Sequence, residues 1–257
     1  MRRPRSIHST GFALIAPLAL ITLAAAGCAG ARPALDASTP PTAIVQSAKV
    51  ATLDPNAEGV SVVATAVVAK VAVYDSPAGD APARTIPSPN PDGAPLVFLV
   101  DQAQPSWLRV LLPIRPNGST GWIRSSDVRL SRHNFHIEVQ LSEFRITVTR
   151  GAVVVLQAPI GIAKDNTPTP GGRYYTTELL KPPSPNTVYG TYAYGLSGFS
   201  EVLESFNGGP GQLGIHGTND PTSIGKKVSS GCVRLHNEDI EKLAALLPLG
   251  VPVQIVK

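Results

Sequence analysis

Residues 216–234 read HGTNDPTSIGKKVSSGCVR, with His216 standing 16 positions ahead of Cys232. Gly214-Ile215-His216 reads as the end of a strand, and Gly217 lets the backbone turn sharply after it. Ser229-Ser230-Gly231-Cys232 is a tight segment in which Gly231 permits close backbone approach. Working outward, Asn237 can cap a helix, Glu238 and Asp239 suit its positive end, and Ile240, Leu243, Leu246 and Leu247 form one apolar face. Pro248 and Gly250 stop that helix, and Val251–Val256 returns as a strand. Upstream, Phe135–Leu141 and Arg145–Thr149 alternate as half-buried strands do. Arg150-Gly151 then turns the chain into Ala152–Leu156, a continuous β-branched run suited to a buried strand. The loop Thr167-Pro168-Thr169-Pro170-Gly171-Gly172 is stiff and expected at the surface. These residues predict a β-rich domain over 134–257 with one helix just after the cysteine.

Between about Val60 and Leu130 the pattern changes to short apolar runs: Val67–Tyr74, Leu96–Val100, Trp107–Leu112 and Gly121–Val128. Turn clusters such as Pro89-Asn90-Pro91-Asp92-Gly93 and Asn117-Gly118 separate them, which predicts a small all-β barrel or sandwich over 60–130. Its segments VAVYDSP, SWLRVLLP and GWIRSSDV resemble a bacterial SH3-like domain. Tyr74, Trp107 and Trp122 fit two readings there, core residues or the lining of a groove for wall peptide. Residues 28–59 are rich in Ala, Pro, Ser and Thr with almost no aromatics, which predicts a disordered tether.

The first residues set the compartment. Arg2, Arg3 and Arg5 precede an apolar run, Gly11–Ala26, that is short for a membrane span and ends in small residues at Cys28. Residues 1–27 read as an export signal. Leu23-Ala24-Ala25-Ala26-Gly27-Cys28 resembles the lipobox of bacterial lipoproteins, with Ala25 where Leu is usual, which implies acylation of Cys28 and attachment to a membrane. Ordinary signal cleavage nearby is the other reading. The 257-residue chain carries 22 Lys+Arg and 18 Asp+Glu. Three of those arginines and no acid lie in residues 1–27, so the rest holds 19 against 18. A near-neutral chain with no basic stripe interleaved with aromatics gives no reason to expect nucleic acid as a partner.

Cys28 and Cys232 are the two cysteines of the chain, so Cys232 is the one thiol remaining after an acylated Cys28. Exported proteins usually pair their cysteines or dispense with them. A free thiol titrates at about 8.5 and supplies little thiolate at neutral pH. His216 can take its proton or stabilise the sulfur anion. The N–H groups of Gly231 and Cys232 are placed in sequence to form an oxyanion hole. Arg234 suits a bidentate grip on a substrate carboxylate, although an ion-pair partner within the fold is an open alternative. A zinc site of His216, Cys232 and His236 lacks paired ligand spacing, and no metal or organic cofactor is expected. His133 and His136 have no motif around them.

His216-Gly217-Thr218 followed by Ser229-Ser230-Gly231-Cys232-Val233-Arg234-Leu235 resembles the signature of the L,D-transpeptidase (YkuD-type) catalytic domain. The Thr-Pro-Thr-Pro-Gly loop and the closing Gly-Val-Pro-Val-Gln-Ile segment fit the same resemblance. It implies a β-sandwich-like fold, Cys232 as acyl-accepting nucleophile, His216 as its base and the Gly217 carbonyl orienting the imidazole. Ser230 stands where many members have His, on the substrate side of the site. The activity implied is the formation of 3→3 cross-links between peptidoglycan stem peptides through a cysteine thioester, with carbapenem-type inhibitors acylating the same sulfur. Three alternatives stay open: water as acceptor (an L,D-carboxypeptidase), attachment of a protein to the wall, or a non-catalytic wall-binding lipoprotein.

Overall fold

The computed structural model describes residues 36–37, 59–77, 79–206 and 208–257. The expected export signal 1–27, Cys28 and nearly all of the expected tether lie outside the described residues. Inside that tether, Asp36–Ala37 forms a two-residue strand, β1.

The first half folds as β2 (Ser61–Ala66), β3 (Lys70–Val73), β4 (Arg84–Pro87), β5 (Val97–Gln104), β6 (Trp107–Leu111), β7 (Thr120–Arg124) and β8 (Val128–His133). Five of these make an antiparallel sheet in the order β7-β6-β5-β2-β8, and β3 and β4 form a separate hairpin. That hairpin meets the sheet through a backbone bridge between Tyr74 and Trp122. The expected run Val67–Tyr74 yields only β3, and β2 lies upstream of it. Alternation sends Leu108 and Val110 of β6 and Ile123 of β7 inward onto Phe98 and Val100. Tyr74 is buried. Trp107 and Trp122 are half-buried, and Arg124 lies 4.6 Å over the Trp107 ring.

The second half contributes β9 (Phe135–Gln140), β10 (Arg145–Arg150), β11 (Val153–Pro159), β12 (Ile162–Ala163), β13 (Gly172–Lys181), β14 (Ala193–Phe199), β15 (Gln212–His216), β16 (Lys227–Ser229), β17 (Val233–Arg234), α1 (Asn237–Leu246) and β18 (Pro252–Val256). Its main sheet runs β11-β10-β9-β18-β13-β14-β15-β17, and β1 pairs with β13 off that path. The chain is mainly β, and α1 is the single α-helix among the described residues. Ile240, Leu243 and Ala244 bury one face of α1. Tyr194 of β14 donates its hydroxyl to the Leu243 and Leu247 carbonyls, both at 3.1 Å, which fixes the helix end on the sheet.

Three expectations are corrected. The β-branched run after Gly151 forms β11, the outer strand of the sheet, with Val153 and Val154 64% and 55% exposed. Its valines reflect the strand preference of branched side chains, which does not require burial. The Thr-Pro-Thr-Pro loop is only partly at the surface: Thr169 and Pro170 are buried because the loop bears on the segment before Cys232. The residue capping α1 is His236, without a side-chain hydrogen bond to the helix, and Asn237 turns its amide elsewhere.

The two halves share a buried boundary. Tyr175 of β13, fully buried, shares its hydroxyl between the Val97 and Leu111 carbonyls of the first half. Val63, Val97, Leu99 and Leu111 pack in the same apolar cluster as Leu179 and Val251 of the second. Asn117 and Phe199 exchange two hydrogen bonds, each 2.8 Å. Arg115 donates to the carbonyls of Ser200, Leu203 and Pro210. The first half thereby grips both ends of the segment between β14 and β15, which forms one wall of the site.

Candidate active site

Strand pairing brings the two ends of the 216–234 segment together. β15 and β17 are parallel neighbours, with Ile215 opposite Val233 and His216 opposite Arg234. One residue before that register, Gly214 backs the thiol: a Cβ built on it would lie 3.7 Å from Cys232 Sγ and 4.0 Å from His216 Cδ2. The thiol and the imidazole therefore converge over one glycine, a contact that sequence spacing did not reveal. Both line a pocket of about 250 Å³. Val188, Tyr189, Leu203 and Phe206 are among the apolar residues that line it, and Ser230 and Arg234 line it together with His216 and Cys232.

His216 is 4% exposed, and its Nδ1 lies 2.6 Å from the Gly217 carbonyl oxygen. A carbonyl only accepts, so this contact fixes the proton on Nδ1 and leaves the Nε2 lone pair as the base. The Tyr189 ring meets the imidazole edge-on at 5.1 Å between centroids. Burial lowers the His216 pKa to about 4, partly offset by the Gly217 hydrogen bond and reinforced by the Arg234 charge. Cys232 keeps part of its surface open. Burial pushes its thiol up to about 11, while a Gly214 backbone hydrogen bond and Arg234 act in the opposite direction. The resting pair is thus thiol and neutral imidazole, in which proton transfer awaits something that stabilises the charges it creates.

The glycines serve for reasons opposite to those expected. Gly231 has φ +129, a conformation closed to other residues, and its missing Cβ meets nothing nearer than 3.5 Å. Gly217 needs no unusual dihedral; its missing Cβ makes room for the Asn237 amide oxygen, with Ile240 Cγ2 at 3.1 Å and the Thr191 nitrogen at 3.2 Å. The cysteine segment is braced from behind: Ser229 donates its hydroxyl to the Cys232 carbonyl at 2.5 Å, and Thr169 donates to the Gly231 carbonyl at 2.9 Å. The Gly231 N–H points at Ser229 Oγ over a long 3.4 Å.

Arg234 forms no ion pair among the described residues, and its buried Nε lacks a hydrogen-bond partner. An unmatched guanidinium in a pocket without carboxylates suits an anionic ligand. His236 starts α1 rather than joining the pocket. Among the described residues no group of three or more His, Cys, Asp or Glu is placed to share a metal ion. His133 sits at the boundary of the two halves, 3.3 Å from the Gly250 carbonyl oxygen. Tyr189 carried no signal in sequence, and the motifs that contain Gly214 and Thr169 did not show their contacts with the cysteine segment.

Residues 134–255 match the family model described as YkuD, the L,D-transpeptidase catalytic domain. The L,D-transpeptidase YkuD of Bacillus subtilis is 36% identical over 121 residues, covering 47% of this chain and 65% of that protein. Its counterpart in Bacillus licheniformis is 35% identical over the same shares. The match thus spans just under two thirds of these relatives. The crystal structure of an Enterococcus faecium L,D-transpeptidase aligns with 48% of this chain and 49% of that one, at 21% identity and a TM-score of 0.38. By family model and curated relatives, residues 134–255 are thus similar to the L,D-transpeptidase catalytic domain of the YkuD type.

Proposed function

We propose that this protein cross-links peptidoglycan stem peptides, with Cys232 as nucleophile and His216 as its base. The observation that carries the reading is the convergence of thiol and imidazole over Gly214, with the Nδ1 proton committed to Gly217 so that Nε2 is free to accept. Cys232 Sγ attacks the carbonyl of the L,D peptide bond that ends in D-Ala, as its proton moves to His216. The developing oxyanion is taken by the Cys232 N–H and, once it leaves Ser229, the Gly231 N–H. The C–N bond breaks and D-Ala departs with the proton from His216, leaving a thioester. A side-chain amine of a second stem gives its proton to His216, attacks the thioester and forms the 3→3 amide as the thiolate is released. Arg234 and Ser230 hold the donor stem, whose carboxylate compensates the unmatched guanidinium.

Carbapenems fit the same chemistry, since a strained amide presented to Cys232 gives a thioester that water removes slowly. Cys28 anchors the exported protein to a membrane through its acyl groups, and the first half acts as an SH3-like module beside the catalytic domain. The test is incubation of the purified chain with disaccharide-tetrapeptide and separation of the products. Cross-linked dimer together with free D-Ala supports the reading. Trimmed tripeptide without dimer assigns the acceptor to water, and release of neither product from a folded protein overturns it.

A further inference from the structure

Asn237 occupies the first position of α1 yet makes no cap there, so the helix gains nothing from this side chain. Its amide oxygen instead reaches back between the segment that precedes β14 and the segment that follows β15. It accepts from the Thr218 N–H at 3.0 Å and the Thr191 N–H at 3.3 Å. Gly190 and Gly217 leave room for it: a Cβ on either would collide with that same oxygen. The Thr218 N–H and the Gly217 C=O belong to one peptide unit. Thus the amide gripped by Asn237 on its nitrogen side is the one that accepts from His216 Nδ1 on its oxygen side.

We propose that Asn237 is a positioning residue for His216, acting through the Gly217–Thr218 peptide so that Asn237, one backbone amide and the imidazole form a single hydrogen-bonded chain. The inference rests on the reading of His216 as the base. Two hydrogen bonds at opposite ends of one amide strengthen each other: accepting the N–H shifts electron density onto the carbonyl oxygen, which then holds the Nδ1 proton more firmly. The imidazole is fixed in tautomer and angle, and its Nε2 becomes the better base. The backbone carbonyl alone would leave the peptide plane free to tilt, and with it the ring.

The test measures alkylation of Cys232 by iodoacetamide against pH, which needs no peptidoglycan, together with kcat and KM on stem peptide. Asn237→Leu keeps the branched shape and the number of heavy atoms and removes the acceptor. It is expected to slow alkylation at pH 7 about fivefold or more, the worth of one lost hydrogen bond. It should also move the rising limb of the profile to higher pH and lower kcat with KM little changed. Asn237→Asp keeps an acceptor at the same place and should retain the wild-type rate or exceed it. Asn237→Ser, acceptable at a helix start but too short to reach Thr218, replaces the leucine variant if that one fails to fold. An unmoved limb in Asn237→Leu or Asn237→Ser overturns the inference, as does an aspartate variant that falls with them. His216→Ala separates the two levels: if it too leaves alkylation unchanged, the fault lies with His216 as base, and if it collapses alkylation while Asn237→Leu does not, only the role of Asn237 falls.

Discussion

At the scale of single residues the site depends on two groups that burial keeps neutral. The His216 imidazole is lowered to about 4 and the Cys232 thiol raised to about 11, so little thiolate waits in the resting site. His216→Ala is therefore expected to slow Cys232 alkylation at neutral pH by tenfold or more, since only the elevated thiol would then titrate; stopped alkylation time courses across pH check this. Arg234→Lys keeps a charge but loses the fork that suits a carboxylate. It should lower kcat/KM for the tetrapeptide about tenfold or more, with alkylation by a small neutral reagent barely altered. A fall in both reactions together with the melting temperature would make Arg234 a brace of the fold. The motif singled out Cys232, His216 and Arg234 in sequence, and all three line one pocket. The contacts of Gly214, Tyr189 and Thr169 with the site were not readable, because each involves a residue outside its own motif. Asn237 signalled a different role, since an amide at a helix start normally caps it, and only the nearby N–H groups of Thr191 and Thr218 redirect it.

At the scale of elements, the segment between β14 and β15 is held by Arg115 through three carbonyls and by Asn117 through two hydrogen bonds, and it supplies the apolar wall of the pocket. Arg115→Ala should loosen that wall. Several charge-assisted bonds, weakened by solvent, correspond to a rise in KM of about five- to tenfold, while Cys232 alkylation stays as in the wild type. Steady-state kinetics beside alkylation rates separate these effects. The strand β11 provides a second check at this scale. Val154→Thr on its exposed edge should change stability by less than about 0.5 kcal/mol, whereas Ile137→Ala in β9 should cost about 2–5 kcal/mol by opening a cavity. Chemical denaturation measures both. Alternation made β9 and β10 legible, and the apolar stripe made α1 legible. An unbroken β-branched run does not distinguish a central strand from an edge one, since both ask for the same backbone and only the sheet order decides what covers it.

At the scale of the whole molecule, buried histidines tie stability to pH, and burial lowers His136 as well as the two named next. His133, packed at the boundary of the halves, and His216 in the site are each held at about 4 in the fold against an ordinary value of 6.5. The unfolded chain binds more protons between those values, so stability is full above about pH 6.5 and is lost as pH falls toward 4. His133→Gln should remove its own part of that loss and leave the parts of His216 and His136, measured as the slope of unfolding free energy against pH. Turn spacing suggested two separate β-rich parts, but the apolar core that joins them was not readable. Tyr175, Val63 and Leu111 look like ordinary core residues in sequence, and nothing local says that they bury one half against the other. The proposed mechanism passes through one covalent bond, between Cys232 Sγ and the donor stem. Intact-protein mass spectrometry after brief incubation with disaccharide-tetrapeptide should find an adduct equal to the donor stem less D-Ala, mapped by digestion to Cys232 and absent from folded Cys232→Ala. A folded wild-type protein that cross-links stems with no adduct on Cys232, or an adduct that persists in Cys232→Ala, would contradict it.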